Sequence, residues 1–245
     1  MKLDILVFAS HPDDAELSIG GTIAALCANG KKAGIVDLTQ GEMGSRGTPT
    51  LRMKEAEKAT KILGVSYRNN LQIPDTLIKN NRENQLKIIR EVRKTQPHIC
   101  LVGAPRDRHP DHGYGTDLVL DALFYAGLKK IEPGDSPQHT PWRPKHILHY
   151  MQDRPMEPDF IFDVSGFMDK KKQSILAYSS QFNVENPGDE PATYISSTNY
   201  FKQMEARCRY FGHLGGFEFG EPFKYYDKPV PLNSMNLFFE SNPKR

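Results

Sequence analysis

The chain has 245 residues, of which 38 % are hydrophobic and 25 % are charged, and its formal net charge is +2. This composition describes an ordinary soluble protein that is long enough to bury a sizeable core. Basic and acidic residues are interspersed, so no basic stripe predicts nucleic-acid binding. The longest apolar runs have the length of strands, which excludes a predicted transmembrane helix.

Cysteine usage and the N-terminus bear on the cellular compartment. Cys27, Cys100 and Cys208 have a spacing that fits neither a disulfide framework nor a cysteine-rich zinc site. Asp4 interrupts the first apolar stretch, and no small-residue cleavage site follows it, so no signal peptide is predicted. We therefore expect reduced, buried thiols in a cytoplasmic protein.

The first half of the chain alternates strand and helix patterns. Strands are predicted at 3–10, 32–38, 67–71 and 99–104, and helices at 14–29, 50–63, 83–95 and 113–126. This alternation predicts βαβ units and a parallel sheet, and right-handed crossovers favour the doubly wound order 3-2-1-4. A crevice then opens between the carboxyl ends of the first and fourth strands.

The second half is less regular. Proline and glycine predict a long loop over 127–145, followed by strands at 145–151 and 160–164, helices at 170–178 and 200–211, and a tail over 215–239 rich in Phe, Tyr and Pro. We expect an α/β, Rossmann-like, doubly wound, mostly parallel sheet with an irregular C-terminal α+β portion. It would form a single domain over 1–245, with a regular core over 1–126 and a substrate-loop and C-terminal portion over 127–245.

The segment His11-Pro12-Asp13-Asp14 directly follows the first predicted strand and opens the first helix. Carboxylates are favoured at a helix N-terminus, so one interpretation is that an aspartate merely caps the helix and His11 is a satisfied polar residue. Adjacent aspartates point in different directions, however. One of them can bind a metal while the other stays free as a base.

A second cluster, His109-Pro110-Asp111-His112, follows the fourth predicted strand. A His-x-x-His pair alone is weak evidence, but these residues fall at the same sheet edge as the first cluster. Two histidines and one carboxylate make an open metal site with room for water or substrate. Zinc in such a site lowers the pKa of bound water to about 7, and the same ligands also suit Fe(II).

The motifs resemble those of a known enzyme family. The stretch 9–16 resembles the AHPDDE signature of LmbE-like, PIG-L-type zinc-dependent N-acetylglucosaminyl deacetylases, and 109–112 resembles their second signature. The residues Gly41, Glu42, Gly47, Thr48, Arg52 and Glu55 resemble the intervening element. Within the family, the segment 107–112 and the chain length most resemble the deacetylases of bacillithiol biosynthesis. The resemblance covers residues 5–125 and is loose beyond them.

The resemblance implies roles for five residues. His11, Asp14 and His112 would bind zinc, and Asp13 would be the general base that takes a proton from the zinc-bound water. His109, if protonated, would stabilise the charge that develops on the amide oxygen. A base beside a ligand lies within reach of the water, and a fixed cation facing an oxyanion lowers the barrier, so general chemistry supports this division.

Other residues are candidates for contacts around this centre. Asp111 would orient a histidine from behind, or cap a turn. Arg52 and Arg46 would bind a hydroxylated or anionic substrate, and Arg46 could alternatively be a solvated loop charge. Arg143 lies in the proline-rich loop and would contribute to a lid or sugar platform, or only to surface packing. Tyr194 is assigned to the pocket from the loose second-half resemblance.

We expect a metal-dependent hydrolase that removes acetyl from an N-acetylglucosaminyl conjugate, above all N-acetylglucosaminyl malate. Another GlcNAc conjugate or a chitin-type oligosaccharide is the alternative substrate, and a catalytically silent metal-binding assembly protein is the alternative class. A nucleotide-binding protein is disfavoured because the first strand–helix turn carries aspartates rather than a glycine fingerprint, although Asp37 could bind a ribose. The family resemblance also implies a homo-oligomer, a trimer or a hexamer.

Overall fold

The computed structural model describes residues 1–134, 140–182, 195, 197–226 and 229. Its strands are β1 (Ile5–Ala9), β2 (Ala33–Asp37), β3 (Tyr67–Asn70), β4 (Ile99–Val102), β5 (His146–Tyr150), β6 (Phe160–Asp163) and β7 (Gly220–Tyr225). Its helices are α1 (Asp14–Ala28), α2 (Pro49–Leu63), α3 (Arg82–Thr95), α4 (Pro110–Ala126), α5 (Met168–Leu176), α6 (Ser179–Phe182) and α7 (Thr198–Gly215).

These seven strands form one sheet with the order β3-β2-β1-β4-β5-β7-β6. The first five strands of that order are parallel, whereas β7 runs antiparallel to both β5 and β6. The predicted doubly wound fold with its 3-2-1-4 core is therefore confirmed. The C-terminal portion adds an antiparallel extension to the same sheet.

The central strand β1 explains how the two layers of helices attach. All five of its residues are buried, and successive side chains alternate between the two faces of the sheet. Leu6 and Phe8 pack in a core with α3 and α4, whereas Val7 and Ala9 pack in a core with α1. The helices that follow β1 and β4 thus lie on opposite faces, which opens the predicted crevice between them.

Helix α4 begins earlier than the sequence predicts. Its first residue is Pro110 rather than residue 113, and His109 is its N-cap. Proline is well suited to the first helical position because its missing N–H needs no partner there. As a result, His112 lies in the first turn of a helix rather than in a loop.

Strand β7 lies in the segment that the sequence presents only as an aromatic, proline-rich tail. Pro222 concealed it, because proline is unfavourable inside a sheet. The structure accommodates Pro222 where β7 pairs with Ile161 of β6, one residue beyond the end of the β5 ladder at Phe223. Phe219, Phe223 and Tyr225 are buried, so these aromatic residues belong to the core.

No helix in the described parts of the chain is both long enough and apolar enough to cross a membrane.

Candidate metal centre and active site

The two predicted clusters meet in one cleft of about 360 Å³ at the carboxyl ends of β1 and β4. The ring centroid of His11 lies 4.8 Å from that of His109 and 5.5 Å from that of His112. About a hundred residues of chain separate these side chains. The pairing of β1 with β4 brings them together, because both clusters directly follow those neighbouring strands.

Asp14 links the two clusters. Its carboxylate oxygens lie 3.2 Å from Nδ1 of His11 and 3.2 Å from Nε2 of His112. In addition, one nitrogen of each of His11, His109 and His112 can be chosen so that all three lie within 4.8 Å of one another. Imidazole nitrogens and a carboxylate at these separations form a donor set that suits zinc or another transition metal.

His11 and His112 each contact a second carboxylate through the ring nitrogen that does not face Asp14. Asp107 lies 2.5 Å from Nδ1 of His112, and Asp75 lies 3.1 Å from Nε2 of His11. A carboxylate on the far nitrogen fixes the tautomer and orientation of a histidine that binds a metal. We did not single out Asp75 or Asp107 from the sequence, although Asp107 was visible beside the second signature.

Asp111 was the carboxylate predicted to orient a histidine. It is buried, it accepts a hydrogen bond of 2.8 Å from the backbone N–H of Thr76, and it lies 3.6 Å from Nε2 of His11. It therefore lies close to a histidine of the cluster while its closest contact organises the loop after β3. The contact with Thr76 is not a local turn cap, because the two residues are 35 positions apart, and the orienting role of Asp111 stays a prediction.

The carboxylates create a local field that favours positive charge on these donors. Burial lowers the pKa of His11, but hydrogen bonds with Asp111, Asp14 and Asp75 outweigh it and hold the pKa well above the usual value. Burial likewise lowers the pKa of His112, yet the charge of Asp14 and the hydrogen bond with Asp107 raise it to about 9. Such a field favours either protons or a metal cation.

Asp13 has an unusual backbone and no capping role. Its φ is 111°, in the left-handed region that few residues other than glycine adopt, and its side chain makes no hydrogen bond to the helix that it precedes. Such backbone strain concentrates at functional sites. The interpretation of Asp13 as a simple helix cap is therefore wrong.

The Asp13 carboxylate is buried beside a guanidinium instead. Nη2 of Arg52 lies 2.6 Å from Oδ2 of Asp13 and also donates to the carbonyl oxygen of Pro12 at 2.7 Å. Burial raises the pKa of Asp13 to about 7, against the lowering effect of the Arg52 charge. A carboxylate whose pKa lies near neutrality is suited to accept and return a proton.

This contact changes the interpretation of Arg52, which the sequence assigned to substrate binding. The guanidinium lines the cleft, but its closest contacts hold Asp13 in place. Position 41, which packs against this guanidinium, requires a glycine. Gly41 has a φ of +65°, and a Cβ atom there would lie 2.8 Å from Nη1 of Arg52. The glycine-rich loop after β2 therefore encloses the arginine that positions Asp13.

His109 faces the same cleft with a different charge state from its neighbours. Its Nδ1 accepts a hydrogen bond of 3.3 Å from the backbone N–H of Asp111, so the neutral ring carries its proton on Nε2. Burial lowers the pKa of His109, and the adjacent His11 and His112 lower it further. The role implied by the resemblance was conditional on a protonated His109, whereas the lowered pKa favours the neutral ring, which donates from Nε2.

The family model for the GlcNAc-PI de-N-acetylases, PIG-L, matches residues 6–123, which contain both clusters and Arg52. The segment 6–123, just under half of the chain, therefore matches the PIG-L family. The conserved protein TT1542 from Thermus thermophilus is 37 % identical in sequence, with a TM-score of 0.82 over 95 % of this chain and 97 % of that structure. The resemblance found in the sequence is therefore confirmed at the level of the family.

Relatives of named activity include the diacetylchitobiose deacetylase of Thermococcus kodakarensis, which is 29 % identical over 90 % of this chain and 82 % of its own length. The N,N'-diacetylchitobiose deacetylase of Pyrococcus horikoshii is 24 % identical, with a TM-score of 0.76 over 98 % of this chain and 86 % of its own. The hydratase GalB of Pseudomonas putida KT2440 has the same TM-score at 21 % identity. The fold alone therefore does not determine the reaction.

Two of the remaining predicted residues, Arg46 and Arg143, belong to the described part of the chain, and neither lines the cleft. Arg46 is buried, and its carbonyl oxygen accepts a hydrogen bond from Gln181, so it is not a solvated loop charge. The described cleft lining includes Ser45 but not Arg46. Tyr194 lies outside the described residues.

The prediction that Arg143 binds substrate is wrong. Its guanidinium stacks 4.8 Å from the ring centroid of Phe124, near the end of α4. The adjacent Trp142 donates to the carbonyl oxygen of Pro97, just before β4. Helix α4 starts at the carboxyl edge of the sheet and returns the chain to the amino edge, so the loop after it lies at the opposite edge from the cleft.

A buried ion pair accounts for Asp37, the residue considered as a ribose ligand. Arg68 binds both carboxylate oxygens of Asp37, at 2.8 and 2.9 Å, and also contacts Glu16 at 2.6 Å. A carboxylate engaged at both oxygens with a buried guanidinium has a structural partner and is not presented to a nucleotide. This geometry strengthens the case against a dinucleotide site.

Proposed function

We propose that this chain is a metal-dependent N-deacetylase that hydrolyses the acetamide of an N-acetylglucosaminyl conjugate. The observation that carries the proposal is the position of Asp13, a buried carboxylate held at 2.6 Å by Arg52 directly beside the donor cluster of His11, Asp14 and His112. The names of the diacetylchitobiose deacetylases support the same reaction. The family match supports it as well.

We assign His11, Asp14 and His112 as the residues that would hold the metal. Zinc is the proposed ion, and the ligand set also suits Fe(II). When bound, such an ion would polarise the amide carbonyl and lower the pKa of water. Asp75 and Asp107 keep the two imidazoles oriented through their far nitrogens.

Asp13 transfers the proton in this reaction, and His109 donates a hydrogen bond. Asp13 takes a proton from the attacking water at its free carboxylate oxygen, while Arg52 holds the other oxygen. The same carboxyl group then returns the proton to the amine that leaves. His109 lines the opposite part of the cluster and directs its Nε2–H at the amide oxygen, where negative charge develops.

The outer cleft supports a sugar conjugate that carries a carboxylate. Arg207 of α7 and Arg108 of the loop before α4 both line it, and arginine binds carboxylates through paired N–H groups. Gln152 lies in the same wall, and its buried Oε1 has no hydrogen-bond partner among the described residues. We therefore propose N-acetylglucosaminyl malate, the precursor in bacillithiol biosynthesis, as the substrate.

An acetate-release assay tests the proposal. Purified protein is given N-acetylglucosaminyl malate, N-acetylglucosaminyl inositol, diacetylchitobiose and free N-acetylglucosamine, each with and without a chelator. We expect release that the chelator abolishes and that is fastest with the malate conjugate. Fastest release from diacetylchitobiose would support the deacetylase activity but reject N-acetylglucosaminyl malate as the substrate. No chelator-sensitive release from any of them would reject the deacetylase.

We also propose a cytoplasmic homo-oligomer, either a trimer or a hexamer. The support for association is the exposure of large apolar side chains on α4 and α7, among them Phe124 and Tyr210. The free cysteines support a reducing compartment. Light scattering of the purified protein tests the oligomer, and a monomer at micromolar concentration contradicts it.

A further inference from the structure

Helix α1, which follows Asp13 and contains Asp14, is interrupted shortly after it starts. Ile19 has a φ of −134° and a ψ of 24°, which is not helical. The half-helix before the break carries Asp14 and, with Leu17 and Ser18, lines the cleft. The half-helix after the break, over 20–28, packs against the sheet through Ile23 and Ala24. The break therefore lies between the first turn of α1, which lines the cleft as well as packing in the core through Ala15, and the rest of the helix, which packs in the core only.

Two charged side chains occupy the break. Nζ of Lys171 donates to the carbonyl oxygen of Ser18 at 3.0 Å. The carboxylate of Glu221 accepts hydrogen bonds from the N–H of Gly21 at 3.2 Å and from the N–H and hydroxyl of Thr22 at 2.7 and 2.6 Å. Lys171 and Glu221 contact each other at 2.5 Å, with side chains that are 0 % and 1 % exposed.

The signs of these charges match the ends of the two half-helices. The first half-helix ends in carbonyl groups with a partial negative charge, which a cation stabilises, and the second begins with N–H groups with a partial positive charge, which an anion stabilises. Burying an ion pair away from water is costly. The hydrogen bonds to the backbone offset that cost only because the helix is broken here.

Glycines make room for this arrangement. A Cβ atom at position 20 would lie 3.2 Å from Cγ of Lys171, and one at position 21 would lie 2.9 Å from Cβ of Val164. Side chains at these positions would push away α5, which carries Lys171, and the segment after β6. Gly20 and Gly21 therefore allow the pair to approach the helix backbone closely.

We propose that Lys171 and Glu221 are positioning residues for the metal centre. They fix the angle between the half-helices and so hold the first half-helix, with Asp13 and Asp14, against His11 and His112. Neither residue lines the cleft, so the pair acts through the backbone of α1. This inference rests on the proposed metal site.

The test compares two ion pairs. The variant Lys171→Met/Glu221→Gln removes both buried charges while leaving side chains of similar size. The matched control, Lys172→Met/Glu205→Gln, removes a neighbouring pair with a 2.7 Å contact that is about one-third exposed and links α5 to α7. Zinc affinity is measured by competition with a chelating dye, and kcat, KM and thermal unfolding are measured on the same preparations.

We expect the buried-pair variant to bind zinc at least about ten-fold more weakly and to lose kcat, with KM changed much less. The control should match the wild type in zinc affinity and kcat. A smaller change, Thr22→Val, removes only the hydroxyl donor to Glu221 and should weaken zinc binding by a few-fold. If the double variant does not fold, the zinc affinity of Thr22→Val still tests the positioning role.

The outcomes separate this inference from the proposed function. A folded buried-pair variant, or a folded Thr22→Val variant, with wild-type zinc affinity and kcat would show that the pair only stabilises the fold. A wild-type protein that binds no zinc and releases no acetate would reject the proposed function instead. Loss of thermal stability alone, with zinc affinity intact, counts against the positioning role.

Discussion

Histidines cluster at both edges of the sheet, but in the described part of the chain only those at the carboxyl edge lie among carboxylates. At the amino edge, the rings of His98 and His146 lie 5.6 Å apart, and His146 is hydrogen-bonded at 2.6 Å to the hydroxyl of Tyr225. Burial and the neighbouring His98 and Lys145 lower the pKa of His146. At the carboxyl edge, carboxylates raise the pKa values of His11 and His112.

Carboxylates distinguish the proposed metal centre from the pair of neighbouring imidazoles at the amino edge. Asp14 bridges the donors, and Asp75 and Asp107 hold them from behind. The carboxylates around His11 and His112 favour a cation between the two rings. The charge of Lys145, in contrast, opposes a positive charge on His146. Variants at the two edges can therefore test the proposed assignment directly.

The largest difference is expected between His112→Ala and His146→Ala. Loss of His112 removes a proposed ligand, leaves Asp107 without its imidazole partner and leaves Asp14 with that of His11 alone, so bound metal and acetate release should fall to the level of the chelator-treated wild type. His146→Ala, at the amino edge, should keep its metal and most of its turnover. Metal analysis and acetate release measure both, and equal metal content in the two variants would contradict the assignment.

Asp13→Asn should separate catalysis from metal binding. The amide cannot accept the proton, so kcat should fall by about 10²- to 10⁴-fold, while zinc content stays at the wild-type level. Asparagine also tolerates the left-handed backbone that residue 13 adopts. Turnover equal to that of the wild type would exclude Asp13 as the base.

Asp107→Asn should have an intermediate effect. The neutral amide no longer holds Nδ1 of His112 by a charged contact, so zinc affinity should fall about 10- to 100-fold, with kcat recovered at saturating zinc. Asp163→Asn, at an exposed position of β6, is the control. Equal zinc affinities for the two variants would show that Asp107 does not support the metal centre.

Arg143→Ala should have the smallest effect. The side chain stacks on Phe124 at the amino edge, and such exposed cation–π contacts contribute about 0.5–1 kcal/mol to stability. We expect a slightly lower melting temperature and an unchanged kcat/KM for the malate conjugate. A ten-fold or greater loss of kcat/KM would return Arg143 to the list of substrate-binding residues.

The sequence predicted the centre of this fold well because strong local patterns determine it. Buried strand runs, glycine turns and periodic helices gave the order 3-2-1-4, and that order alone places 11–14 beside 109–112. Patterns that depend on distant partners were harder to read. The strand that contains Pro222 is stabilised by pairing on both sides, and its isolated sequence does not indicate a strand.

The supporting residues of the site were missed for a related reason. Asp75 reaches His11 from the loop after β3, and no sequence spacing relates the two residues. Arg52 and Asp13 were both predicted as site residues, but the contact between them was not. That contact depends on how α2, which carries Arg52, packs beside the start of α1. Arg143 was misplaced because we did not follow the direction of α4, which any βαβ unit determines.

One carboxylate connects the wall of the cleft to the first histidine. Asp75 accepts a hydrogen bond of 3.0 Å from the backbone N–H of Met43 with one oxygen and contacts His11 with the other. Met43 is itself an exposed side chain at the rim. The backbone of the cleft rim and the ring of His11 therefore share one hydrogen-bonding carboxylate, which ties the position of the imidazole to that of the glycine-rich loop.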